Sequence, residues 1–442
     1  MKKRFTISVI IYSLLISFIS NGYLFYAKTP ETLFLVVPLF LFINFIAGIF
    51  TLKTNSFKIK ICCHGTIMLI GFYVSIIISV IYHLFLYFGV IDTSILGYSF
   101  STLVCIIVNA IIFWNGIICA YLSSTQLGMK IRIIGIICGM IPVANLVTLY
   151  FIIKATSKEC VFESEKEILN LNRQDERICN TKYPILLVHG VFFRDSKYFN
   201  YWGRIPKELE NNGARIFYGN HQSAASIEQS ADEISNRILE IIKITGEKKV
   251  NIIAHSKGGL DCRFALSNPQ ISKMVASLTT INTPHRGCLF ADALLNKFPE
   301  KTKFKVASIY NATLKKFGDK SPDFLTAVSS LTNEYCNKLN DNLSIPNGVY
   351  CQSVGSVLKR ATCGKFPLNF SYHLVKYFDG KNDGLVSENS FKWGENYILL
   401  TPKYNRGISH GDMIDLNREN IDGFDVREFY VDLVYDLKKR GL

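Results

Sequence analysis

Val250-Asn251-Ile252-Ile253-Ala254-His255-Ser256-Lys257-Gly258-Gly259-Leu260 decides how the rest of the chain is read. Residues with strand character lead into a small-x-Ser-x-Gly turn. Gly258 and Gly259 then open a helix that continues through Arg263, Phe264 and Leu266. This is the layout of a nucleophile elbow. Side chains beside the serine must be small for the turn to close; Gly258 meets that need, and Ala254 stands where glycine is commoner. The turn forces the Ser256 hydroxyl out at the carboxyl end of a parallel strand, where the next helix N-terminus favours developing negative charge.

Around this stretch, from Tyr183 onward, strands and helices alternate, which implies a parallel sheet with helices on both faces and an α/β fold class. Strands are expected at Pro184–Val188, Ala214–Tyr218, Val250–Ala254, Ala276–Ile281 and Tyr397–Leu400. Pro206 fits the first turn of a helix and Gly213 its stop. From Ser226 to Ile244, the residues Ile227, Ala231, Ile234, Ile238 and Ile241 recur at helical spacing, and Gly246 ends the run. Residues 290–343 break the rhythm. They read as helical, with Phe290, Leu294, Leu295, Phe298, Phe304, Phe317, Phe324 and Leu325, and form either a lid or ordinary core helices.

Serine is a poor nucleophile until a base takes its proton. At such an elbow the partners follow in the order Ser, then Asp or Glu, then His. Only His285, His373 and His410 follow Ser256. His285 comes too early to follow an acid. His410, in Gly407-Ile408-Ser409-His410-Gly411-Asp412, lies in a loop after the last strand and is the expected base. Asp383, in Asn382-Asp383-Gly384-Leu385-Val386, is the expected acid that orients the imidazole. Asp379, also followed by glycine, is the second candidate. The oxyanion needs backbone donors. Those expected are the N–H of Lys257 and of Val191, the latter in His189-Gly190-Val191-Phe192-Phe193 after the first buried strand. His189 is then scaffold, and the Lys257 side chain is expected to point to solvent.

Leu186-Leu187-Val188-His189-Gly190, the elbow, Asn282-Thr283-Pro284-His285-Arg286-Gly287 and Asn382-Asp383-Gly384-Leu385-Val386 together resemble the bacterial true-lipase (triacylglycerol lipase) branch of the α/β-hydrolases. The resemblance covers about Tyr183 to Leu442. It implies an α/β-hydrolase domain that cleaves carboxylic esters. Members of that branch often hold a structural Ca²⁺ through an aspartate before the acid loop and another after the catalytic histidine. Asp412 matches the second, but no aspartate lies between Val354 and Phe378 to match the first, so neither metal nor cofactor is expected.

The first third of the 442-residue chain is almost continuously apolar. Five stretches are long enough to cross a bilayer, which needs about 20 apolar residues: Phe5–Phe25, Thr32–Leu52, Thr66–Leu86, Gly97–Tyr121 and Ile131–Ile153. Pro142 and Asn145 interrupt the fifth. Lys2, Lys3 and Arg4, then Lys53, Lys58 and Lys60, then Lys130 and Arg132 mark the cytoplasmic ends, which puts the hydrolase domain outside after five crossings, whereas a re-entrant fifth stretch would leave it facing the cytoplasm. His83, Asn109 and Asn115 are read as helix–helix hydrogen-bonding groups. Residues 154–180, charged in both signs, read as a solvated, partly helical stalk. The domains expected are thus a transmembrane region 1–153, a linker 154–180 and a lipase-like domain 181–442.

The net charge of +14 comes without a basic stripe interleaved with aromatics, so no nucleic-acid partner is expected. The twelve cysteines contain no C-x-x-C pair, which argues against a zinc site. The expectation is a multi-pass cell-membrane serine hydrolase acting on lipid or other ester substrates through an acyl-enzyme. An acyltransferase or thioesterase with the same triad, and a membrane sensor with a ligand-binding hydrolase-like domain, stand as alternatives.

Overall fold

The structure, a computed structural model, describes residues 2–46, 48–139, 141, 143–191, 200–297, 299–316, 322–365, 368–401 and 406–442. Pro142, Phe192, Phe193, Phe298, Phe317 and the side chain of Leu294 lie outside the described residues. The chain divides into two compact units, Met1–Asn172 and Arg173–Leu442.

The first unit is all helical: α1 (Lys2–Asn21), α2 (Tyr23–Lys28), α3 (Leu33–Phe45), α4 (Phe57–Tyr87), α5 (Ile95–Ser123), α6 (Gly128–Cys138) and α7 (Ala144–Arg173). Of these, α1, α4 and α5 are long and apolar enough to cross a membrane. Ser56 and Ser94 start α4 and α5 by accepting from the N–H groups of Ile59 and Gly97. The second expected span forms only α3, 13 residues long with Pro38 inside it. The fifth is divided between α6 and α7.

Polar groups join the apolar helices. Asn115 of α5 donates to the Asn44 carbonyl of α3 at 2.6 Å, and His64 Nε2 of α4 lies 2.9 Å from the same oxygen. His83 Nε2 of α4 lies 3.3 Å from Ser101 Oγ of α5. Asn109 instead donates to Cys105 O of its own helix.

The stretch from Lys154, expected to be a solvated stalk, continues α7 as far as Arg173, with Glu159 and Lys166 buried. Glu159 accepts from Ser124 Oγ at 2.5 Å, Thr125 N at 2.7 Å and Gln126 N at 3.1 Å. Glu167 accepts from Asn55 N at 2.7 Å and from Thr54 Oγ1. A run of mixed charges looks solvated in sequence. Here two of its carboxylates satisfy backbone donors of loops more than 30 residues away.

In the second unit six parallel strands are ordered β2-β1-β3-β4-β5-β6: β1 (Ile185–Val188), β2 (Ile216–Tyr218), β3 (Val250–His255), β4 (Val275–Ile281), β5 (Tyr350–Ser356) and β6 (Asn396–Leu400). The helices are α8 (Ile205–Asn211), α9 (Ile227–Thr245), α10 (Lys257–Ala265), α11 (Pro269–Ser272), α12 (Leu289–Lys297), α13 (Glu300–Lys316), α14 (Phe324–Ser329), α15 (Asn333–Asn342), α16 (Leu368–Asp379), α17 (Glu388–Phe391) and α18 (Val426–Lys439).

Alternation along the strands builds two cores. Ile185, Leu187 and Ile253 face Trp202, Ile205 and the α18 residues Tyr430 and Val434. Leu186, Val188, Ile252 and Ala254 face Ile234, Ile238 and Cys262. This is the period-2 geometry of a sheet buried on both sides. Strand order reverses between β1 and β3, and the carboxyl ends there form the crevice in which such sheets place their sites.

One strand, β5, was not expected from sequence. Its Gln352 and Ser353 are buried but paired, with Thr279 Oγ1 at 3.0 Å and Trp393 O at 2.6 Å. Among the inserted helices, Ala327 of α14 packs with Val191 and Ala224, and Cys336 and Leu339 of α15 pack with Ile227 and Leu260. By contrast α13 exposes Phe304 and Ile309.

Glu159→Ala removes the carboxylate that accepts from buried Ser124 Oγ and half-buried Thr125 N and Gln126 N, and a buried donor left unsatisfied costs about 1–3 kcal/mol. Thermal unfolding of the full chain in detergent should show a clear loss of stability. Glu165→Ala, at an exposed position of the same helix, should stay within about 0.5 kcal/mol of the parent. Equal effects of the two substitutions would contradict the clasp.

Candidate active site

Ser256 joins β3 to α10 with φ 56° and ψ −133°, a backbone conformation that costs a non-glycine residue about 1–3 kcal/mol. Neighbours impose it. Ser256 N–H donates to Ile281 O at 2.9 Å, and Thr283 Oγ1 donates to Ser256 O at 2.8 Å. A Cβ on Gly190 would stand 2.7 Å from Ser256 Cβ, and one on Gly258 would stand 2.4 Å from His189 O. Only glycine at these two positions lets the β1 loop close against the elbow.

That close approach places the loop carrying Val191 beside the serine. Val191 is buried, and among the described residues no group accepts from its N–H. Lys257 N–H lies in the first turn of α10, where helices leave donors without partners. Gly190 N–H donates to Tyr201 Oη at 3.1 Å, and that oxygen lies 2.7 Å from His255 Nδ1. Burial, then the neighbouring His410, holds His255 well below the usual imidazole range, so it stays neutral.

The structure brings Asp383 and His410 together, with Asp383 Oδ2 2.6 Å from His410 Nδ1. The carboxylate is fully clasped. Asn282 Nδ2 donates to Oδ2 at 2.6 Å, and Leu385 N and Val386 N donate to Oδ1 at 2.9 and 2.8 Å. His410 N–H also donates to Asp383 O at 2.9 Å, so the two loops are joined through main chain and side chain. Sequence reasoning missed Asn282, which sits at φ 48° and also donates to Ser356 Oγ at 2.7 Å.

The second acid candidate goes elsewhere. Asp379 accepts from Leu289 N and Phe290 N at 3.3 and 3.2 Å at the start of α12. His285 is buried between Thr280 Oγ1 at 2.9 Å and Arg263 at 3.2 Å, and stacks on Trp393. His373 is exposed on α16. Among the described residues no hydrogen bond joins Ser256 Oγ to His410. The His255 ring, next to the serine in sequence, packs 4.4 Å from the His410 ring. Catalytic hydrogen bonds are often long before substrate binds.

Lys257 corrects the sequence reading. Its side chain is buried rather than solvent-pointing, donating to Asp261 Oδ1 at 2.6 Å and Ser230 Oγ at 3.2 Å. Burial pushes the Asp261 carboxyl up, against the pull of the Lys257 charge. The i, i+4 spacing of Lys257 and Asp261 was the available signal.

Asp412, the residue matching a calcium ligand, is engaged by a guanidinium. Arg406 Nη1 and Nη2 meet its two oxygens at 2.6 and 3.2 Å, and Ser409 N donates to it at 2.8 Å. Arg406 also reaches Glu419 at 3.2 Å, so the His410 loop is closed by an ionic clamp.

Comparison with known proteins bears on the fold and on the kind of protein this chain is similar to. The family described as alpha/beta hydrolase fold matches residues 183–383. A triacylglycerol lipase of Pseudarthrobacter phenanthrenivorans is 32% identical over 175 residues, 37% of this chain and 54% of the relative. Triacylglycerol lipase 2 of Saccharomyces cerevisiae is 28% identical over 270 residues, 56% of this chain and 77% of the relative. The chain spans about half the length of the first two curated relatives, 54% and 48%. The mature Bacillus licheniformis lipase BlEst2 aligns with a TM-score of 0.43 at 21% identity, over 57% of this chain and 92% of that one.

Arg406→Gln should lower stability by about 1.5–3 kcal/mol, the worth of a hydrogen bond to a charged group. Deuterium exchange should rise in residues 406–412 of the full chain. Unchanged exchange there would show that the clasp does not hold the loop. Addition of a chelator should leave both readings as they were, because the Asp412 oxygens are already engaged.

Proposed function

We propose, from the premise that residues 173–442 form an α/β-hydrolase domain of the lipase branch, that this chain is a membrane-anchored serine hydrolase of carboxylic esters, lipid esters among them. The observation that carries the reading is the Asp383–His410 pair at 2.6 Å, on loops joined to each other and packed against the strained elbow of Ser256. The similarity to triacylglycerol lipases supports the ester as substrate class.

In this mechanism His410 Nε2 takes the Ser256 proton as Oγ attacks the ester carbonyl. Asp383 holds Nδ1–H, fixes the tautomer and stabilises the imidazolium. The carbonyl electron pair moves onto oxygen, where the N–H groups of Val191 and Lys257 receive it. His410 then protonates the leaving alcohol, and the acyl group stays on Ser256. Water, deprotonated by His410, repeats the sequence and releases the acid. Neutral, buried His255 adds no positive charge beside the imidazolium.

The apolar helices α1, α4 and α5 would hold the domain at a bilayer, close to lipid substrates. The basic residues Lys2, Lys3 and Arg4 favour a cytoplasmic start for α1.

A fluorophosphonate probe should label the folded full chain, and Ser256→Ala should abolish labelling and turnover of p-nitrophenyl butyrate. Asp383→Asn should cut kcat by about 10⁴ with the fold retained, because the wrong tautomer is held. Unchanged labelling of Ser256→Ala would remove the nucleophile assignment. Asp383→Asn with parental kcat would remove the acid.

A further inference from the structure

Lys257 and Asp261 form an ion pair whose side chains are 1% and 2% exposed, one residue beyond the nucleophile. Nothing local explains its presence. A cation in the first turn of a helix opposes the macrodipole, and a lysine four residues before an aspartate is the weaker order for a helical pair. Removing two charges from water costs several kcal/mol per ion, and well-packed apolar side chains commonly serve stability as well or better. The pair is therefore poorly accounted for by helix stability alone.

Its position supplies another account. The Lys257 main chain carries one of the two donors assigned to the oxyanion. Its side chain runs the other way and is tied to Ser230 on α9 and Asp261 on α10, at 3.2 and 2.6 Å. The residue is thus held at both ends. Behind it the same buried chain reaches the second donor. Asp261 Oδ2 lies 3.9 Å from His221 Nε2. The His221 ring stacks 3.9 Å from that of His189, with 10° between the planes. His189 Nε2 contacts His221 O at 3.1 Å, its Nδ1 contacts Gly190 O at 2.9 Å, and Val191 follows directly. Glu228 and Glu233 of α9 are the acids whose charges also reach Asp261.

We propose that the Lys257–Asp261 pair is a positioning element of the oxyanion hole, aiming the Lys257 N–H directly and the Val191 N–H through His221 and His189. The proposal rests on the serine-hydrolase reading above. The ammonium itself touches no reacting atom. It acts through the backbone it orients, so its loss weakens transition-state binding and leaves ground-state binding largely unchanged.

The test compares p-nitrophenyl butyrate with its thionoester, whose C=S carbon is attacked in the same way. Sulfur is a larger and weaker acceptor, so a hole aimed at oxygen discriminates between the two. The full chain in detergent, Lys257→Met and Asp261→Asn are assayed on both esters. We expect kcat for the oxygen ester to fall at least ten-fold in each variant, with KM within two-fold. The oxygen-to-sulfur rate ratio should fall at least five-fold. That ratio does not depend on the folded fraction, so partial unfolding cannot mimic the result. A parental ratio in both variants overturns the proposal. A parent protein that neither hydrolyses the ester nor takes the fluorophosphonate probe would instead overturn the hydrolase reading on which it rests.

Discussion

The backbone of Ser256 is the constraint on which the second unit depends. A positive φ at a residue with a side chain persists only where its surroundings determine it from several sides. Here β4 accepts its N–H, Thr283 donates to its carbonyl, and the β1 loop closes on it through Gly190. These contacts come from the two strand ends that flank β3, those of β4 and β1. The parallel sheet with β1 beside β3 beside β4 is therefore the minimum apparatus that can hold one hydroxyl in this position.

The site follows the rule that a buried charge is acceptable only when its hydrogen bonds are complete. Asp383 is wholly buried and has four donors, three of them from its own loop and from Asn282. The fourth, His410 Nδ1–H, meets a carboxylate already immobilised by the others. The Arg406–Asp412 clamp does the corresponding work on the histidine loop, where Ser409 and His410 lie between the Leu358–Gly407 bridge and the 3-10 turn that begins at Asp412.

What was legible in the sequence was what is local. The elbow, the oxyanion loop and the acid loop each carry their geometry in five to ten adjacent residues, so their small residues and turn dipeptides could be read directly. The choice between Asp383 and Asp379 could not be settled that way, since both precede glycine, and it is the fold that sends Asp379 to the start of α12. Strand β5 stayed hidden because strand reading depends on apolar character, whereas Gln352 and Ser353 are buried by pairing. Lys257 was misread for the same reason: charge suggests solvent unless the partner is known, and the partner, one turn along the helix, becomes meaningful only once that face is seen to be buried.

The first unit shows the same rule working where hydrophobicity carries less information. Where neighbouring helices are mostly apolar, as α3, α4 and α5 are, burial of apolar surface cannot decide which face meets which neighbour, and packing and hydrogen bonds must do it. Asn44, His64 and Asn115 set α3, α4 and α5 against one another, and Glu159 and Glu167 tie α7 to two loops. Apolar composition therefore locates this bundle in the chain, while its few polar residues define its arrangement. The reading of α7 as a solvated stalk failed at that point. It treated carboxylates as surface markers, although a carboxylate is also a strong acceptor for main-chain N–H groups of nearby loops, as Glu159 and Glu167 are here.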